Sequence, residues 1–195
     1  MTKSPDGTTD ARGGKLLPWR FVSDTVEHGT NVFSTVSRKL VSPKDGLEKT
    51  FSVIATDDWV NVVAITPDRK IVFVRQWRCG SGSFTLELPG GRLEKGDDFE
   101  SAGTRELMEE TGYSVRNVET LLTMEPNPAL FSNRIATLVG TDARKTGETN
   151  FDENEDLEVV LLSIPEVKDI YLSGKFTHAL VVGAVGYFLA TRGHF

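Results

Sequence analysis

Cysteine is nearly absent: Cys79 is the single one among 195 residues. No intramolecular disulfide can form, and there are too few thiolates for a cysteine-built zinc site. That usage suits a reducing compartment, so a cytoplasmic protein is expected. Long apolar runs are also missing. The longest, Ala179 to Ala190, falls well short of the roughly 20 residues a membrane span requires. It reads as a buried helix, and no membrane role is expected. The opening stretch MTKSPDGTTDARGG has no apolar block that would predict a secretory signal. Residues 1–14, rich in Gly, Thr, Asp and Ser, read as a mobile tail. Histidine is scarce, and His28, His178 and His194 show no ligand spacing. There is no Gly-x-Ser-x-Gly elbow for a serine hydrolase. The run Gly80-Ser81-Gly82-Ser83 lacks the Lys-Ser/Thr ending of a phosphate-binding P-loop and reads as a hairpin loop.

What remains is ordinary globular composition, with 38% hydrophobic and 26% charged residues. The length allows one domain, or one domain with a small appendage, and is enough to bury a real core. The net charge of −6 is unevenly placed. Residues 91–113 carry three basic and seven acidic side chains, and residues 141–158 two basic and seven acidic ones. The rest of the chain is mildly basic. A general nucleic-acid surface would need a basic face, so none is expected. Acidic blocks are either solvated faces or sites for a divalent cation, which prefers hard oxygen ligands.

From Trp19 to Val53, short apolar and polar runs alternate around the turn Ser42-Pro43-Lys44-Asp45-Gly46, which predicts antiparallel strands. Val60–Ile65 and Ile71–Val74 flank Thr66-Pro67-Asp68-Arg69-Lys70 as a hairpin, and a further strand over Phe84–Leu88 ends at Pro89-Gly90-Gly91. More strands are expected around 119–124, 134–140 and 157–162. Helices are expected from Asp98 to about Thr111, from Pro165, and over about 177–191. Strands mostly precede helices, so the fold class is α+β with a mixed sheet. The domain division reads as a tail (1–14), an N-terminal β segment (15–56) and a main domain (57–195).

The first helix is the informative one. At 100° per residue, Phe99, Ala102, Gly103, Glu106 and Glu110 share one arc, with Glu109 at its edge. The carboxylates continue the apolar stripe instead of opposing it, which directs them toward the sheet or a cleft. Unpaired, each buried charge would cost several kcal/mol; a bound divalent cation would reverse that cost. Gly103 in mid-helix costs about 1 kcal/mol relative to Ala and suggests a close backbone approach. The plainer alternative is an Arg105–Glu109 pair on an ordinary solvated helix.

Gly91, five residues, Asp97, seven residues, then Arg105-Glu106-Leu107-Met108-Glu109-Glu110-Thr111-Gly112-Tyr113 resembles the signature box of the Nudix hydrolases. One fixed position departs, since Asp97 stands where the family has Glu. The resemblance implies a Nudix α/β/α sandwich with a mixed central sheet, preceded here by the antiparallel N-terminal segment. It implies Mg²⁺ as cofactor, with Mn²⁺ as a substitute and two or more ions per site. The implied metal ligands are Glu106, Glu109, Glu110 and the backbone carbonyl of Gly90, while Gly91, Asp97, Arg105 and Gly112 are structural members of the box. Such ions neutralise a pyrophosphate that bare carboxylates would repel, and they polarise water.

Further markers resemble the branch that hydrolyses ADP-ribose and nucleotide sugars. They are Val74-Arg75-Gln76-Trp77-Arg78, then Leu86-Glu87-Leu88-Pro89-Gly90-Gly91, then Pro128 beyond the box. The acidic run Asp152-Glu153-Asn154-Glu155-Asp156 resembles that branch's catalytic loop, in which Glu153 would activate water and Glu155 would lie near the metals. Arg78 matches a phosphate- or ribose-contacting arginine, with a surface ion pair as the alternative. Glu87 either touches substrate or hydrogen-bonds within the sheet. Phe33 and Phe51 are the candidates to stack the base, with Trp19, Trp59 and Trp77 as competitors. The expected activity is Mg²⁺-dependent hydrolysis of ADP-ribose or a related nucleoside diphosphate sugar to NMP and a sugar phosphate, by a homodimer. Hydrolysis of nucleoside triphosphates or dinucleoside polyphosphates is the rival activity, and a non-catalytic nucleotide-sugar sensor the rival of another class.

Overall fold

Seven residues of alternating valine-rich sequence, Trp59–Ile65, form a strand buried on both faces, and the main sheet is assembled around it. The computed structural model describes residues 16–150 and 156–195. In chain order its elements are β1 (Arg20–Gly29), β2 (Ser34–Val41), β3 (Glu48–Ala55), β4 (Trp59–Ile65), β5 (Lys70–Arg78), β6 (Ser83–Glu87), α1 (Phe99–Thr111), β7 (Tyr113–Ser114), β8 (Asn117–Met124), β9 (Ile135–Thr141), β10 (Arg144–Lys145), β11 (Leu157–Ser163), α2 (Ile164–Leu172) and α3 (Ala179–Thr191). The expected strands and helices are present. The two-residue ladder β7–β10 was not foreseen, because two residues carry no readable period.

Contacts divide the chain into two units, residues up to Thr56 with Asn127–Ser132, and Asp57–Pro126 with Asn133–Phe195. The first unit is a three-stranded antiparallel sheet, β1-β2-β3. The segment 127–132 joins it through the Ile54 amide, which donates to the Leu130 carbonyl at 2.8 Å. Pro128 therefore belongs with the N-terminal unit, although 70 residues of the other unit come before it in sequence.

The second unit is layered. Its sheet runs β11-β5-β4-β9-β8, with β6 added on β5; β4 and β9 are parallel, and the other pairings are antiparallel. Strand side chains alternate between faces. One core gathers Val63, Phe73 and Val139 under Val167, Val181, Val185 and Phe188 of α2 and α3. The opposite core gathers Val60, Val62, Ala64 and Leu138 under Ala102 and Leu107 of α1. This is the expected α/β/α sandwich.

Asp98 caps α1 through a capping box: the Ser101 amide donates to Asp98 Oδ1 (2.7 Å) and the Asp98 amide to Ser101 Oγ (3.1 Å). Gly112 ends the helix in the left-handed conformation, φ 71°. Gly103 lets α1 lie close on the sheet, because a Cβ there would fall 2.5 Å from Leu138 Cδ1 and 3.1 Å from both Val60 and Val62. A side chain at 103 would lift α1, and with it the box glutamates. Gly103→Val is expected to destabilise the protein by about 1–3 kcal/mol through overpacking. Urea denaturation measures this, and a midpoint equal to wild type would refute the close-approach account.

Candidate active site

The segment Pro89-Gly90-Gly91 is threaded between β4 and the carboxylates of α1. Val62 donates its amide to the Pro89 carbonyl and Val60 donates to the Gly91 carbonyl, both at 2.9 Å. Gly90, between them, donates its own amide to Glu110 Oε2 at 3.0 Å. No side chain fits at either glycine. A Cβ on Gly90 would meet the Val60 carbonyl oxygen at 2.1 Å, and one on Gly91 would meet the Glu106 carboxylate at 2.5 Å. The box glutamates and this glycine pair therefore occupy one place, which the helical arc had predicted only as a direction.

Burial grades the three glutamates. Glu110 is 4% exposed, the Glu106 side chain is 14% exposed and that of Glu109 39%. The plainer reading of α1 as a helix with a solvated charged face fails for Glu106 and Glu110. The Arg105–Glu109 pair does form, but it is one arm of a wider fork. Arg105 Nη1 donates to Glu106 Oε1 and to Glu109 Oε2, both at 3.0 Å. Its Nη2 reaches Asp97 Oδ2 and the Arg92 carbonyl, both at 3.4 Å. Partial burial disfavours the guanidinium charge, but the surrounding glutamates outweigh it and hold its pKa above the ordinary arginine value. Asp97 divides itself between Arg105 and the Glu94 amide, which donates to it at 3.2 Å. At 3.4 Å its contact with Arg105 is longer than a good charge-assisted hydrogen bond.

Divalent ions favour carboxylate oxygens, and the donor set here suits them. Two buried or nearly buried carboxylates lie against backbone, with one arginine as their side-chain counter-charge in the box. Among the described residues no three acidic, histidine or cysteine side chains converge tightly enough to form a finished metal cage. Glu106, Glu109 and Glu110 are strung along one helix edge instead.

Arg78 and Glu87 form a pair that the sequence listed as separate candidates. Arg78 Nε and Nη2 donate to the two oxygens of Glu87, each at 2.7 Å. The Thr85 hydroxyl donates to the same carboxylate. Glu87 is 4% exposed, and burial alone would raise its pKa; the Arg78 fork and Thr85 outweigh that and hold the carboxyl below the ordinary glutamate value. Thr85 was not singled out from sequence, and only its register beside Gln76 on the hairpin could have pointed to it. Glu87 leads through Leu88 and Pro89 directly into Gly90.

The remaining candidates lie elsewhere. Phe33 and Phe51 are about 40% exposed in the N-terminal unit, where Phe51 meets Trp19 edge-on with centroids 5.2 Å apart. Trp77 meets Phe84 edge-on at 5.2 Å on the β5–β6 hairpin. Pro128 is exposed. Glu153 and Glu155 lie outside the described residues.

A family model described as the NUDIX domain matches residues 57–180. The chain is 33% identical over 129 residues to the methanol dehydrogenase activator of Bacillus methanolicus, covering 66% of this chain and 70% of that one. It is 28% identical over 129 residues to the ADP-ribose pyrophosphatase of Bacillus subtilis strain 168, with the same coverage of each chain. A crystal structure of an ADP compounds hydrolase, 22% identical, superposes with a TM-score of 0.78 over 93% of this chain and all of that one, which shows a shared fold.

Gly91→Ala separates the site from the fold. The methyl group would displace the Glu106 carboxylate while leaving both cores intact. The expected result is at least about a hundredfold loss of kcat, as for loss of one group that stabilises transition-state charge, with a melting temperature near wild type. Full turnover by the variant would dissociate Gly91 from the site.

Proposed function

The chain belongs to the Nudix family and is an enzyme of its ADP-ribose pyrophosphatase branch, and we propose that it hydrolyses the pyrophosphate of ADP-ribose or a related nucleoside diphosphate sugar to NMP and a sugar phosphate. The observation that carries this reading is the contact of Glu106 and Glu110 with the Gly90–Gly91 backbone. It gathers anionic oxygens in a place that only cations can occupy favourably.

Hydrolases of this family need divalent metal ions. Here Mg²⁺, with Mn²⁺ as substitute and two or more ions per site, would be held by Glu106, Glu109, Glu110 and the Gly90 carbonyl, with Glu155 nearby. Bound there, the ions supply charge neutralisation for the pyrophosphate and a lowered pKa for water. The chain's own groups do the rest. Arg105 holds Glu106 and Glu109 apart by donating to both. Arg78, pinned by Glu87, which Thr85 holds in turn, presents a guanidinium of fixed orientation to a phosphate or ribose oxygen. Glu153 takes the proton from the attacking water, and its position in an acidic run 43 residues beyond Glu110 in sequence suits a group that engages when substrate binds. Phe33 and Phe51 stack the base, and Pro128 is a further substrate-binding residue. The substrate is a small molecule, and no described helix is long and apolar enough to cross a membrane.

The N-terminal unit serves as the dimer element in this reading. All ten residues of β1 are exposed, with Phe21 at 52% and Val26 at 65%, and an unpaired edge of this kind favours pairing with another chain. Light scattering at micromolar concentration is expected to give a dimer mass; a fully active monomer would refute the assignment.

A product assay over a panel of nucleotide sugars, nucleoside triphosphates and dinucleoside polyphosphates tests the activity. The expected result is NMP release from ADP-ribose or a close relative, absent in excess chelator and restored by Mg²⁺. Glu110→Gln is expected to lower kcat at least about a hundredfold. Glu153→Gln is expected to lower it by about 10²–10⁴, with affinity for a non-hydrolysable ADP-ribose analogue kept within a few-fold. Turnover of triphosphates alone would replace the substrate assignment, and an active Glu110→Gln variant would overturn the metal site.

A further inference from the structure

Only two non-glycine residues among those described adopt a left-handed backbone, Arg69 (φ 62°) and Asp142 (φ 56°). Both follow the carboxyl ends of the parallel pair: Arg69 comes four residues after β4, and Asp142 comes directly after β9, where Ile65 and Thr141 lie opposite each other. The box glycines contact β4 at its other end, at Val60. Five residues of strand, about 16 Å at roughly 3.3 Å each, separate the two places.

A cleft of about 360 Å³ opens at the carboxyl ends of β4 and β9. Ile65, Val139, Ile164 and Phe188 give it an apolar floor, and Arg69, Asn117, Thr141, Arg192 and His194 line its polar side. The volume is that of a small-molecule site.

The charges are unequally satisfied. Glu119, the acidic residue of the lining, is paired with Arg192. Asp68 is paired with Lys70 at 3.0 Å and Asp142 with Arg144 at 2.8 Å. Arg69 is exposed, and its side chain has no hydrogen-bond or ion-pair partner among the described residues. Glycine would adopt its backbone conformation without strain, yet an arginine is kept there. His194 lies over Phe188, with ring centroids 5.5 Å apart, and supplies a flat surface beside the floor.

We propose that this cleft is a second small-molecule site, separate from the Nudix box, that takes a small organic anion with a planar apolar body. The anionic head lies on Arg69, Asn117 and Thr141 hydrogen-bond it, and the planar body rests on the ring of His194. The reading does not depend on the hydrolytic activity.

Calorimetry with phenyl phosphate and with inorganic phosphate, both in excess chelator so that the metal-dependent site is disarmed, tests it. One equivalent of phenyl phosphate is expected to bind, at least tenfold more tightly than inorganic phosphate. Arg69→Gly is expected to weaken that binding at least tenfold and to leave metal-dependent hydrolysis at the wild-type rate. Because it relieves backbone strain, it is also expected to raise the melting temperature by about 2–4 °C. Absence of phenyl phosphate binding up to about 10 mM, or binding that Arg69→Gly leaves unchanged, would overturn the proposal. A lowered melting temperature would remove the strain argument and the proposal with it.

Discussion

Everything at the candidate active site depends on a backbone passing where no side chain can. Pro89-Gly90-Gly91 is pinned to β4 by the Val60 and Val62 amides, and its other side faces the carboxylates of Glu106 and Glu110. Sheet, loop and helix meet there with no space for a methyl group. The Gly90 amide thereby fixes the Glu110 carboxylate, and that hydrogen bond offsets part of the rotamer entropy lost in ordering a long side chain. The same tightness recurs where α1 lies on the sheet at Gly103, and both contacts involve Val60.

Concentrating carboxylates in this way creates an electrostatic problem that the chain solves only in part. Arg105 spreads one positive charge over Glu106, Glu109 and Asp97. One guanidinium cannot neutralise three glutamates and an aspartate, and Glu110 accepts a hydrogen bond from the Gly90 backbone amide. The carboxylates left over are the reason the proposed function places divalent cations here. Asp97 loosens the arrangement slightly, since it reaches Arg105 only at 3.4 Å. Arg78 and Glu87 follow the opposite design: one acid and one base satisfy each other in a bidentate pair, so the arginine is oriented before anything binds.

The two ends of β4 contrast in chemistry. At Val60 the neighbours are anionic and wedged against glycine. Beyond Ile65 the chain passes through a strained arginine, whose side chain has no partner among the described residues, beside a cleft with an apolar floor. A strand buried on both faces is stiff, so a structure of this kind can hold two chemically different places at fixed separation.

Periodicity and spacing were enough to determine the α+β class, the longer strands and the helices, the Asp98 start of the first helix and the inward direction of Glu106 and Glu110. These are local properties: a 3.6-residue arc, an Asp-x-x-Ser cap and a glycine stop can all be read along the chain. Several features could be decided only by tertiary structure. Arg78 and Glu87 became one pair because β5 and β6 are in hairpin register. The stretch 127–132 joined the N-terminal unit because Ile54 bonds to Leu130 across more than 70 positions. Arg69 and Thr141 came to line one cleft because β4 and β9 run parallel, and a parallel pairing brings together carboxyl ends from distant parts of the chain. Sequence records which residues can bury, cap or coordinate, but long-range register is settled only when distant strands compete for the same core.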